Sequence, residues 1–151
     1  MACGNEDGEV NRMTNPAKPG NSSFMLTRAI KSLASLAAAA SLAIMGYAGD
    51  FSSPSLIALS FGFAAWLCAP YAVAWIAAGR LKSDAIASAV LGVGLTVIAG
   101  LGLYAYVSVF IINPKPDAQD GLAFLVIPFY QLGTIALACA LAFLVKRLRR
   151  A

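Results

Sequence analysis

The residue best suited to a chemical role is Gln131. It is a neutral amide within residues 121–145, a stretch that carries no charge. An amide in hydrocarbon must find a hydrogen-bond partner, because an unpaired polar group there costs free energy. Pro128 precedes it by three residues and removes a backbone N–H, which loosens the helix locally. The sequence therefore predicts a polar membrane site at Gln131 and Pro128. It is a structural clasp to Thr96 or Tyr104, a contact with a second subunit, or a site for a ligand or transported solute.

Groups that support catalysis, metal binding or ion coupling are scarce. The 151 residues include no histidine, and the three cysteines, Cys3, Cys68 and Cys139, lie far apart. The seven acidic residues all fall outside the long apolar stretches, whereas proton-coupled transport usually needs a carboxylate inside the membrane. We therefore expect no enzyme, no metal site and no cofactor.

Four apolar stretches must position these residues. The chain is 60% hydrophobic and only 12% charged, and about 20 apolar helical residues cross a hydrocarbon core of about 30 Å. The sequence predicts an all-α integral membrane protein, a four-helix transmembrane bundle whose consecutive helices are antiparallel neighbours. The predicted spans are about 29–48, 56–78, 85–112 and 121–145. Residues 1–24 are polar and are expected to form a disordered cytoplasmic tail, and residues 25–151 form the bundle.

The cations predict the orientation. With four spans, Lys115 falls on one side of the membrane and the other ten cations fall on the opposite side, which predicts cytoplasmic N and C termini. These ten are Arg12, Lys18, Arg28, Lys31, Arg80, Lys82, Lys146, Arg147, Arg149 and Arg150. Because most of them flank apolar stretches, contact with the lipid bilayer explains them better than nucleic-acid binding. The segment PDAQDGLAFLVIPFYQL resembles parts of small bacterial inner-membrane proteins without an assigned function, which favours that membrane.

The first span has a second interpretation. Two cations, an apolar run at 33–45 and the small residues Gly46 and Ala48 on either side of Tyr47 also fit a secretory signal peptide. Its removal would leave a chain that begins at Gly49. The retained helix is the favoured interpretation, and translation starts at Met13 or Met25 stay open as alternatives.

Small and polar residues recur every four positions in the third span and predict a helix-packing face. Small residues let helix backbones approach closely, which is what packs helices in lipid. Gly94 and Gly102 add small positions beside this face. It is expected to pack within the bundle, against a second copy of the chain, or against another membrane protein. Its members are Ser88, Gly92, Thr96, Gly100 and Tyr104.

Three functions fit these features. The first is a non-enzymatic accessory or interaction subunit of a membrane complex, favoured by the long small-residue face. The second is an immunity protein that protects against a membrane-acting toxin. The third is a passive channel or transporter that uses neutral polar groups at Gln131, Thr96 and Tyr104.

Overall fold

The computed structural model describes residues 21–49, 52–113 and 121–149, and these residues are almost entirely helical. No strand occurs among them. Each of the four helices is long and apolar enough to cross a membrane, which confirms the predicted number of spans. The helices are α1 (Asn21–Ala48), α2 (Pro54–Leu81), α3 (Ala85–Val107), which a π-helical turn (Ser108–Ile112) continues, and α4 (Ala123–Leu148).

Helix α1 begins at Asn21, eight residues before the predicted start of the first span. Arg28 and Lys31, which mark the start of the predicted span, therefore lie about two turns or more inside the helix. Long cationic side chains can extend toward water while their stems cover apolar surface, so a helix need not stop at the first charge. Residues 21–24, which were assigned to the disordered tail, are helical, and residues 1–20 lie outside the described residues.

Side chains at the helix starts explain two of the boundaries. Ser53 accepts a hydrogen bond from the Leu56 N–H at 3.4 Å, and Pro54 is the first residue of α2, a position where its missing N–H costs nothing. Asp84 accepts bonds from the N–H groups of Ile86 at 3.0 Å and Ala87 at 3.1 Å, which caps α3. The turn between α2 and α3 is therefore only three residues long.

The helices pack side by side as a four-helix bundle. Helix α1 packs on α2 and α3, and α4 packs on α3 and α2, while α2 and α3 meet over a smaller area. Alanine dominates the contacts, and at Gly94 an added Cβ would lie 2.5 Å from the Cβ of Ala138. Such close approach gives the van der Waals contact that holds helices together in lipid.

The buried face of α3 differs from the predicted packing face. Of the five predicted residues, Ser88 is buried and Gly92 faces Ile30 of α1, but Thr96, Gly100 and Tyr104 are exposed on the outside. Positions four apart in an α-helix are offset by about 40°, so the row turns away from the core along the helix. The residues that α3 does bury are Ala87, Ser88, Leu91, Leu95, Ile98, Ala99, Gly102 and Tyr106.

Candidate functional site

Gln131 lies in the interior of the bundle with 4% of its surface exposed. Its amide nitrogen donates one hydrogen bond to the Ile98 carbonyl of α3 at 3.0 Å and a second to the Tyr71 hydroxyl of α2 at 3.2 Å. Both distances are within the normal range for N–H···O bonds. The amide therefore joins three helices.

Gly102 provides the room for this arrangement. A Cβ added to Gly102 would overlap the amide nitrogen of Gln131. Gly102 also lies one turn after Ile98 in α3, so its missing side chain leaves the Ile98 carbonyl open to a second donor. The sequence placed Gly102 only beside the packing face, yet it is the position where α3 and α4 fit most tightly around a polar group.

Ser41 brings the remaining helix, α1, into the cluster. Its hydroxyl donates to the Ala37 carbonyl at 2.9 Å and lies 3.4 Å from the Tyr71 hydroxyl. Because the Ser41 hydrogen is directed to Ala37, the Tyr71 hydroxyl is the donor in the longer contact. We call Ser41, Tyr71, Gln131 and the Ile98 carbonyl the polar cluster. It connects all four helices.

Two buried prolines flank the cluster. Pro128 lies three residues before Gln131, and Pro70 immediately precedes Tyr71. Each proline lacks the N–H that would bond to the carbonyl four residues earlier. In the same region the Trp66 indole donates to the Leu125 carbonyl at 3.1 Å, which adds a second polar link between α2 and α4. Pro128 thus belongs to the framework around the site and is not itself a polar contact.

Tyr106 is fully buried in α3, and its hydroxyl makes no hydrogen bond within the described part of the chain. Its ring stacks on Phe124 of α4 with 5.4 Å between centroids, and Phe110 stacks on the same ring at 4.4 Å. Beyond this stack is a cavity of about 870 Å³ between the helix ends, which Phe63, Phe110 and Phe124 line in part. We call this end of the bundle the aromatic end.

The predicted partners of Gln131 lie elsewhere. Tyr104 is 72% exposed on the outside of α3, and the Thr96 hydroxyl donates to the Gly92 carbonyl of its own helix at 2.9 Å. The expectation that either residue bonds Gln131 was wrong, because the face of α3 that turns inward carries Ile98 and Gly102 instead.

Sequence reasoning missed Tyr71 and Ser41 as members of the site. A signal for Ser41 was present, since it lies seven residues before the end of α1 and Gln131 lies eight residues after the start of α4. These offsets place both at a similar depth from the aromatic end. Tyr71 gave a weaker signal, because its backbone lies deeper and its long side chain spans the difference.

The opposite end of the bundle, which we call the basic end, is tied together by charged groups. Lys146 of α4 donates to the Arg80 carbonyl at the end of α2 at 2.8 Å. Arg149 lies 3.3 Å from Asp84, the residue that caps α3. The pKa of Asp84 lies below its ordinary value, chiefly because its carboxylate accepts a hydrogen bond from the Ala87 N–H. Arg149, the Ile86 N–H and Lys146 lower the pKa by smaller amounts, and burial opposes them.

The cluster offers hydroxyl, amide and carbonyl groups for hydrogen bonds. Within the described residues, no three His, Cys, Asp or Glu side chains come together as they would to hold a metal ion. Comparison with protein-family models, with curated proteins and with solved structures found no match. Four helices of this length and apolarity suggest an integral membrane protein. The contacts of the bundle are the basis for any finer assignment.

Proposed function

We propose that this protein is a non-enzymatic interaction subunit that presents the outer face of α3 to a transmembrane helix of a partner membrane protein. This α3 outer face combines small residues with exposed apolar and aromatic ones. It consists of Val93, Thr96, Val97, Gly100, Leu101 and Tyr104, all of them exposed.

The observation that carries the proposal is the open surface at Gly100. A Cβ added there would meet no atom within 4 Å outside its own backbone surroundings. The nearby Thr96 hydroxyl already bonds within its own helix, so the surface around Gly100 is small and Thr96 adds no unpaired donor to it. Lipid chains gain little from such a surface, whereas a second helix gains close van der Waals contact.

A groove beside this face supports a helical partner. It has a volume of about 210 Å³ and runs along the seam of α3 and α4. Val97, Leu101 and Ala105 form one wall, and Tyr130 and Thr134 form part of the other. Val97 and Leu101 belong both to this groove and to the α3 outer face, so a helix that packs on these two residues would lie beside α4 as well.

The contacts also support an antiparallel direction for consecutive helices, although α2 and α3 meet less extensively than the non-consecutive pair α1 and α3. The end of α1, the start of α2, the π-helical turn and the start of α4 surround one cavity at the aromatic end. Lys146 and Arg149 of α4 meet Arg80 and Asp84 at the basic end. We propose that consecutive helices are antiparallel and that the basic end, with both termini, faces the cytoplasm of a bacterial inner membrane.

The packing of α1 supports a retained first helix. Its buried face includes Ile30, Ala34, Ala37 and Ser41, and Ser41 belongs to the polar cluster. Cleavage after Ala48 would remove all of these contacts. The intact mass of the purified protein tests this point, because a mature chain that begins at Gly49 would contradict the four-helix bundle.

Passive transport through Gln131 gains less support than the interaction role. The Gln131 amide is already bonded to Tyr71 and to the Ile98 carbonyl, which supports a structural clasp. Protection against a membrane-acting toxin stays a prediction from the sequence. A toxin gene beside the gene for this chain would favour it, because immunity proteins are commonly encoded beside their toxins.

The test compares two glycines that are alike within the bundle. Gly100 in α3 and Gly62 in α2 both have open space around an added Cβ. Each is changed to Leu, and the tagged proteins are purified in mild detergent after a photo-cross-linking amino acid has been placed at Tyr104. We expect Gly100→Leu to reduce the yield of cross-linked partner about tenfold, which corresponds to a loss of about 1.4 kcal/mol in the free energy of association. Gly62→Leu should leave the yield unchanged.

A cross-linker at Leu36, an exposed position on α1, provides the background. Equal partner yield from Leu36 and Tyr104, or equal loss with both glycine variants, would contradict the proposal. A cross-linked product with twice the mass of the chain would identify the partner as a second copy.

A further inference from the structure

A groove on the outer surface of α1 and α2 at the basic end carries two cations, and no carboxylate is among the described residues that line it. Its volume is about 690 Å³. Lys31 lies with its ammonium 5.0 Å from the centre of the Trp75 ring, a normal distance for a cation–π contact. The residues that line the groove are Arg28, Lys31, Ser32, Ser35, Leu36 and Trp75.

The charges in this groove are not neutralised within the described part of the chain. Asp84 is the only acidic residue among the described residues. It lies at the start of α3 and is paired with Arg149 of the C-terminal region. Arg28 contacts the ring of Phe24, with the guanidinium carbon 4.3 Å from its centre. The groove therefore holds two positive charges, which favours an anionic ligand.

Two serine hydroxyls add neutral donors. The hydroxyls of Ser41, Thr96 and Thr134 each bond to the carbonyl one turn earlier in their own helix. Ser32 and Ser35 make no such bond in the part of the chain that the structure describes. Their hydroxyls are free to donate to phosphate oxygens beside the two cations, since phosphate oxygens are strong acceptors.

A second groove continues from the first along the seam of α1 and α2. It has a volume of about 380 Å³ and shares Ser35 and Trp75 with the charged groove. Its lining is almost entirely apolar and includes the small residues Ala34, Ala38, Cys68 and Ala72. A ligand that fills both grooves must have an anionic head and an apolar chain.

We infer that this pair of grooves is a binding site for one anionic phospholipid from the bilayer. The phosphate lies between Arg28, Lys31 and the two serine hydroxyls, and an acyl chain lies in the seam of α1 and α2. Basic recesses between transmembrane helices are known to hold anionic lipid headgroups. A zwitterionic lipid also has a phosphate, but its ammonium group would be repelled by the two cations.

Trp75 provides a direct reporter, because it lies where the two grooves meet. The chain has two tryptophans, so Trp66→Phe leaves Trp75 alone. The full-length variant is reconstituted in phosphatidylcholine vesicles that contain a minority of phosphatidylglycerol, with bromine on the acyl chains of one lipid at a time. Bromine quenches tryptophan only at contact distance, so the two quenching curves give the preference of the site for the anionic lipid.

We expect a clear preference for phosphatidylglycerol, to which each cation contributes about fivefold. The double variant Arg28→Gln with Lys31→Gln should lose most of this preference. The control is Arg80→Gln with Lys82→Gln, which removes the same charge from the same end of the bundle but outside the groove. This control should keep the preference. Exchange of the two cations, Arg28→Lys with Lys31→Arg, should also retain it. If the double Gln variant does not insert, Lys31→Gln alone should lower the preference about fivefold.

Three results would overturn the inference. The first is equal quenching by the two brominated lipids in the parent protein. The second is an equal loss of preference in the groove variant and in the control with Arg80→Gln and Lys82→Gln, which would indicate general surface charge. The third is displacement of the lipid by inorganic phosphate, which would indicate a site for a soluble anion without the acyl-chain groove.

Discussion

The half of the bundle at the basic end packs through alanine, whereas the half at the aromatic end packs through rings around an open cavity. The buried alanines Ala34, Ala74, Ala77, Ala87 and Ala142 all belong to the first half. The second half has the stacked rings of Tyr106, Phe110 and Phe124 and the cavity of about 870 Å³. Small side chains allow close backbone contact in lipid, and large rings keep helices further apart.

The polar cluster lies where these two halves meet. Gln131 bonds to α2 and α3 there, and Ser41 connects α1 through Tyr71. Close packing by small residues ends at this depth, so directional hydrogen bonds hold the four helices in register at the point where van der Waals contact becomes weaker. The comparison predicts that changes at the junction cost more than changes at either outer surface.

The largest effect is expected for Gly102→Leu. The new side chain would occupy the position of the Gln131 amide, so the overpacking and the lost hydrogen bonds together should cost about 3 kcal/mol of unfolding free energy. Reversible unfolding in mixed micelles with increasing dodecyl sulfate provides the measurement.

Gly100→Leu is the matched control for this prediction, because it lies two residues away in the same helix with open space around it. Its unfolding free energy should stay within about 0.5 kcal/mol of the parent. Equal destabilisation by the two variants would show that α3 is oriented differently in the bundle.

The second prediction concerns the hydrogen bonds of the cluster. Gln131→Leu should cost about 1 kcal/mol, since hydrogen bonds between membrane helices are individually modest. Tyr71→Phe removes the hydroxyl that accepts from Gln131, so the double variant should cost less than the sum of the two single changes. Additive costs in this double-mutant cycle would contradict a direct bond between the two side chains.

The sequence predicted the helices better than their contacts. Hydropathy and length were sufficient for four spans, because an uncharged apolar stretch of about 20 or more residues can cross a hydrocarbon core as a helix, with every backbone hydrogen bond made inside the segment. The partner of Gln131 depended on the rotation of α3, which the four-residue spacing from Ser88 to Tyr104 misrepresented. The Ile98 carbonyl has no sequence signature at all, since every residue carries one.

A third prediction separates the two buried tyrosines. Tyr71 has hydrogen-bond partners, whereas the Tyr106 hydroxyl is buried without one among the described residues. Removal of an unpaired buried hydroxyl should be neutral or should stabilise the protein by up to about 1 kcal/mol, because its desolvation cost disappears. Tyr71→Phe should therefore lower the unfolding free energy, whereas Tyr106→Phe should leave it unchanged or raise it. Destabilisation by Tyr106→Phe would instead indicate a partner such as a buried water molecule.

The smallest effect is expected at the basic end, where Asp84 caps α3. Its pKa is lowered in the folded protein, chiefly by the Ala87 N–H, so the folded state binds a proton less readily than the unfolded state. The stabilising contribution is therefore present above the unfolded pKa of about 3.9 and is lost as the pH falls through the lower folded value. The unfolding free energies of the parent and Asp84→Ala should differ at neutral pH and converge in acid.

The salt dependence separates the two contributions of Asp84. Because Arg149 is mostly exposed, added salt should weaken the part of the difference that depends on this ion pair and leave the helix-capping part intact. A difference that stays constant from neutral pH into acid would show that the carboxylate charge contributes nothing to the cap.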